Sequence, residues 1–136
     1  VTIAPKFATS LIICFFQVHG EGATTHDYIY SVWRAGSQTN LFNGYPPYNK
    51  FAGNSAWSGI AQALPYETDY NSTPFTKLFW YVDLPGDTLS RKYSPGIKSS
   101  TATTYTYYVN RTVGSATGAS AHEVGVSYSV AMEIAL

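Results

Sequence analysis

The chain has 136 residues, with eight basic side chains set against eight acidic ones and a formal net charge of zero. Charged residues make up 12% and aromatics 16%, with 12 Tyr, which excludes the charge-rich, aromatic-poor composition of a disordered chain. The balance leaves no net field to draw the protein to nucleic acid or anionic lipid, and little charge to keep its own copies apart. The length suits one domain over residues 1–136, large enough to bury a real core.

Taken in order, Val1–Thr9 reads as an extended lead-in containing Pro5. Ser10–Val18 is apolar on both faces, the pattern of a central strand covered on both sides. His19–Thr25 (HGEGATT) reads as a Gly-rich turn or loop. Asp27–Arg34 (DYIYSVWR) has β composition and sets Tyr28, Tyr30 and Val32 on one face, Ile29 and Trp33 on the other. Gln38–Phe42 resumes as a strand. Asn43–Ser55, with two Pro, two Gly and three Asn, predicts a long exposed loop, and Trp57–Leu64 suits either a helical turn or a strand. Thr76–Asp83 is a strong strand closed by the turn Leu84-Pro85-Gly86-Asp87. Thr88–Ala102 is polar and reads as a second long loop. Thr103–Val113 alternates again, and Gly114–His122 is a small-residue connection.

The last segment, Glu123 to Leu136, has the clearest pattern. Val124, Val126, Tyr128, Val130, Met132, Ile134 and Leu136 occupy even positions, and mostly small residues take the odd ones. A period of two is the mark of a strand, since successive side chains point to opposite faces. Thirteen residues at ~3.3 Å each reach ~43 Å, roughly twice a typical strand. The even face is expected to meet a core. The small odd face either lets a second layer come close or stays solvated. The strand is expected to pair along at least one edge, with this chain or with another subunit. No amphipathic helix is evident, and the longest unbroken apolar run, Leu11–Phe16, is too short to span a bilayer. The expected fold is therefore all-β, an antiparallel β-sandwich or jelly roll with long loops.

The search for chemistry is less productive. His19-Gly20-Glu21 matches the H-x-E half of a zinc deaminase, but the P-C-x-x-C half needs cysteines and the chain has only Cys14. Cys14 lies in an apolar strand, where burial blunts a thiol. His122-Glu123 lacks the second His of H-E-x-x-H. Glu67 and Asp69 could pair as glycosidase carboxylates or hold calcium, but solvated loop charges explain them more simply. Arg91, Lys92 and Lys98 suit a solvated loop better than a phosphate or RNA contact. No catalytic residue, cofactor or metal site is expected. Aromatic residues crowd the loop-like stretches. Tyr45, Tyr48, Trp57, Tyr66 and Tyr70 either form a recognition surface or fold back onto the core. Asn71 and Asn110 begin N-glycosylation sequons. The start at Val1 without Met is what a chain cut from a longer precursor would show.

Two patches carry a resemblance. Trp33-Arg34-Ala35-Gly36-Ser37, after an aromatic strand, resembles the Trp-Arg-Gly-Ser motif of picorna-like virus capsid proteins of the dicistrovirus and iflavirus type. Leu64-Pro65-Tyr66, with Tyr70 and Pro74-Phe75 downstream, is similar to the Val-Pro-Tyr-Tyr segment of the same jelly rolls. The resemblance implies a non-enzymatic shell subunit located in the virion. Its partners would be copies of itself or sibling capsid subunits, and its loops would face neighbours, a host receptor or a glycan. Pro65-Tyr66 to Phe75 also resembles actinoporin-type toxins and fungal lectins, implying a secreted sugar- or membrane-binding module. A filament subunit that exchanges strands is a further expectation, from the terminal strand itself.

Overall fold

The computed structural model describes residues 1–24, 26–35, 39–41, 60–63, 73–99, 103–114 and 123–136. Among these there are nine strands and no helix: β1 (Thr2–Ile3), β2 (Leu11–Gly22), β3 (Asp27–Ala35), β4 (Thr39–Asn40), β5 (Ile60–Ala63), β6 (Phe75–Asp83), β7 (Arg91–Ser99), β8 (Tyr107–Val109) and β9 (Tyr128–Ile134). They form two antiparallel sheets. In the first, β7 lies between β1 and β3, while β4 and β5 share the far edge of β3. In the second, β2 pairs with β6 on one side, and β8 and β9 share its other side.

The sheets pack face to face as an all-β sandwich, and the alternation of β2 and β3 explains why. Ile12, Cys14, Phe16 and Val18 of β2 point inward and are buried, opposite Tyr28, Tyr30 and Val32 of β3 and Tyr93 of β7. Each such apolar side chain contributes ~1.5–3 kcal/mol on burial. Phe16 stacks on Phe79 of β6 with ring centroids 5.5 Å apart, and Tyr28 meets Tyr107 edge to face at 5.2 Å. The tyrosines carry their hydroxyls into the interior, where each needs a partner. Tyr30 and Tyr107 share a hydrogen bond of 3.0 Å between the sheets. Tyr93 donates to the Asp83 carboxylate at 2.5 Å, and Arg34 reaches the same oxygen at 3.4 Å. Burial, then the adjacent carboxylate, pushes the Tyr93 phenol above the ordinary tyrosine range.

Three expectations are corrected. The stretch from His19 does not turn: β2 continues through Gly22 and pairs there with β8. Its glycines serve close approach instead. A Cβ on Gly20 would overlap the Tyr108 carbonyl oxygen, and one on Gly22 would lie 2.5 Å from the Tyr28 hydroxyl. The polar Thr88–Ala102 segment is not a loop: it contains β7, paired along β3 from Ala35↔Lys92 to Tyr28↔Ser99. Its polar composition and basic residues read as loop, and it also carries Pro95, a residue uncommon in a central strand. Tyr93 directs its N–H toward β1, to the Val1 carbonyl at 2.8 Å. Pro95, two residues on, faces the same edge beyond the end of the two-residue β1, so its missing donor costs no ladder bond. Thr103–Val113 forms only the short β8. The turn after β6 is as expected, with Gly86 at φ 74°.

Gly22→Ala is expected to destabilise the fold by about 1–3 kcal/mol, the usual cost of overpacking. A lowered urea midpoint with an unchanged slope checks this.

Candidate functional site: the outer face of the second sheet

The site follows from which way β9 faces. The even residues were expected to be buried, and they are not: Val126 is 69% exposed, Tyr128 52%, Val130 43%, Met132 43% and Ile134 40%. Val124 and Leu136, in the flanking segments, are also exposed. The strand proper is seven residues, Tyr128–Ile134, half the expected length. It lies beside β2, as edge pairing required. The small odd residues face inward by register: Ser129, Ala131 and Glu133 pair with the inward Phe16, Cys14 and Ile12 of β2, Ala131 packs against the core, and the lead-in segment closes over Glu133. Glu133 anchors that closure, its Oε1 accepting from the Lys6 N–H at 2.7 Å, the Phe7 N–H at 3.3 Å and the Ser10 hydroxyl at 2.7 Å. A period of two says which residues share a face, and the pairing with β2 decides which face is inside.

The outward side of the sheet is built by register. Phe15 sits between Trp80 and Val130, Ile13 between Val82 and Met132, and Gln17 between Leu78 and Tyr128. Leu78 is 66% and Trp80 61% exposed. Phe15, Leu78, Trp80, Tyr128, Val130 and Met132 line an open groove of about 620 Å³. From Leu11 to His19, Thr76 to Val82 and Tyr128 to Ile134, no outward residue is Asp, Glu, Lys or Arg. β2 was expected to be covered on both sides; its odd side is left uncovered by the described residues, with Phe15 39% exposed.

Polar contacts hold the approach to β9 in place. Gln17 donates to the Val126 carbonyl at 2.9 Å, and the His19 N–H to the Ser127 hydroxyl at 3.0 Å. The His19 ring shares a hydrogen bond of 2.9 Å with Thr76. Asn110, with φ 64°, donates its N–H to the His19 carbonyl at 2.8 Å and accepts from the Ser127 N–H at 2.7 Å. This sequon asparagine is exposed but also braces the sheet, while Thr112 of the sequon is buried.

The other candidates fall elsewhere. Glu21 is buried and accepts from the Thr73 N–H at 3.0 Å and the Val113 N–H at 2.6 Å, so its carboxylate holds two loops. Cys14 is a free thiol in the core, and burial pushes its pKa up to about 12. No group of three metal-binding side chains occurs among the described residues. Lys92 and Lys98 lie on β7 with Arg91, whose guanidinium holds the Asp87 carboxylate through two bonds of 2.6 Å. That pairing, with the Leu89 N–H, brings the Asp87 pKa down to about 2. Tyr45, Tyr48, Trp57, Tyr66, Tyr70, Glu67, Asp69, Asn71 and His122 lie outside the described residues. Phe15, Leu78 and Trp80 were the functional candidates that sequence reasoning missed. Their signal was apolar residues on both parities of β2 and β6. Comparison with family models, curated proteins and solved structures finds no match.

The Ser10 hydroxyl and the two lead-in amides hold the Glu133 carboxyl below the usual glutamate range. A lowered folded value adds stability above the ordinary glutamate pKa, lost as pH falls through the folded value. Melting temperature measured against pH is expected to fall less steeply on acidification in Glu133→Gln than in the parent. Equal slopes would remove Glu133 from the account.

Proposed function

We propose that this chain is a non-enzymatic structural subunit that assembles with copies of itself, as a capsid protein or capsid domain forming part of a virion shell. The carrying observation is the outer face of the second sheet, apolar across three strands and free of formal charge. Monomeric soluble proteins rarely leave such a face bare. The Trp33-Arg34 resemblance supports the viral reading, with the strands connected as a jelly roll to form the wall. Arg34 reaches Asp83 of the second sheet at 3.4 Å, so this residue of the motif ties the two layers together, while Trp33 donates to the Ser31 hydroxyl within its own strand at 2.8 Å. Receptor or glycan contact in this reading belongs to the loop aromatics, outside the described residues.

Light scattering and negative-stain imaging at rising concentration test the proposal. Discrete oligomers or closed particles are expected. A strict monomer at every concentration would contradict it, and a monomer that binds a glycan array or liposomes would favour the secreted-module alternative.

A further inference from the structure

We propose that the outer face of the second sheet is a homotypic interface, packing against the same face of another copy of this chain. This rests on the self-assembly reading and specifies the surface and the occupant.

Three observations choose that occupant. The first is area. Phe15, Leu78, Trp80, Val126, Tyr128, Val130, Met132 and Ile134 together leave several hundred Å² of largely apolar surface open at their observed exposures. A standard specific contact buries roughly 800 Å² per partner, and the largest apolar patch on a typical monomer is roughly 300–600 Å².

The second observation is charge. From Leu11 to His19, Thr76 to Val82 and Tyr128 to Ile134 the outward residues include no carboxylate, ammonium or guanidinium, and Glu21, farther along β2, is buried and bonded to the Thr73 and Val113 amides. A charged partner would bury groups that nothing on this face could pair, and a headgroup surface would find no Lys or Arg to hold it. A face identical to this one satisfies it fully. An apolar, charge-depleted centre is also the composition of homomeric contacts.

The third is shape. Three adjacent strands make a broad twisted surface rather than a slot for one extended peptide, and a second sheet stacks on such a surface at ~10 Å. Strand addition along the edge of β6 or β9 that is unpaired among the described residues would leave Trp80 and Phe15 wet. Face-to-face stacking covers them, with the Phe15, Val130 and Trp80 row at the middle of the contact.

The test is sedimentation equilibrium on the whole chain, with circular dichroism to show that each variant is folded. Val130→Lys changes a side chain that points out of the sandwich. The expected result is a native spectrum with a mass reduced from a multiple of 14.9 kDa to 14.9 kDa itself, and a rise in dissociation constant of at least about a hundredfold from like charges brought together. Leu78→Lys, on β6, is expected to do the same, and serves if Val130→Lys fails to fold. Leu89→Lys, exposed in the segment between β6 and β7 and not part of the groove lining, is expected to leave the mass unchanged. If the parent assembles and folded Val130→Lys or Leu78→Lys assembles with an unchanged constant, this interface is wrong and self-assembly stands. If the parent is a monomer throughout, both fail. If the parent is monomeric and Val130→Lys abolishes its binding to phosphatidylcholine vesicles, the face belongs to lipid and the proposal is overturned.

Discussion

Every feature of this molecule passes through β2. Its even side chains make the centre of the core, its odd side chains make the middle of the outer face, and both of its edges are paired. A strand used so fully cannot slip: a one-residue shift would send Phe16 outward and leave Phe15 inside. The close approaches at Gly20 and Gly22 fix the register further, since a side chain at either position would strike β8 or the Tyr28 ring. The core is secured across the layers by tyrosines whose rings supply apolar area and whose hydroxyls pair at a distance, Tyr30 with Tyr107 and Tyr93 with Asp83.

The fold class was legible in the residues themselves. Alternation in Asp27–Arg34 places Tyr28, Tyr30 and Val32 together, and the structure buries all three. The run from Thr76 to Asp83 reads as a strand and is one. What the pattern could not carry was sidedness. The odd residues of β9 face in because they pair with the inward residues of β2, and Glu133 among them meets three donors from the other end of the chain, a contact more than 120 residues away in sequence. Nor could it reveal β7, whose polar composition and basic residues read as loop and which carries Pro95 and Gly96. Gly96 is there because a side chain would strike the Trp33 indole of β3, and that is visible only once the strands are paired.

The same limit applied to the candidate surface. Apolar residues on both parities of Ser10–Val18 suggested double coverage, which is what a central strand inside one chain would have. The described part of this chain supplies cover on one side only. Apolar area of this size costs free energy in water, in proportion to what is left exposed. In the proposed interface another copy of the chain would supply that cover without introducing a charge that the face cannot answer.

The account turns on the parity of β9, and thiol accessibility reads parity directly. Single cysteines are introduced at positions 129 to 132 in a Cys14→Ser background, and their reaction with a water-soluble maleimide is followed at low and high protein concentration. The account predicts fast reaction at 130 and 132 and slow reaction at 129 and 131 in dilute solution, with protection of 130 and 132 alone as concentration rises. Fast reaction at the odd positions, or even positions whose rates ignore concentration, would contradict it.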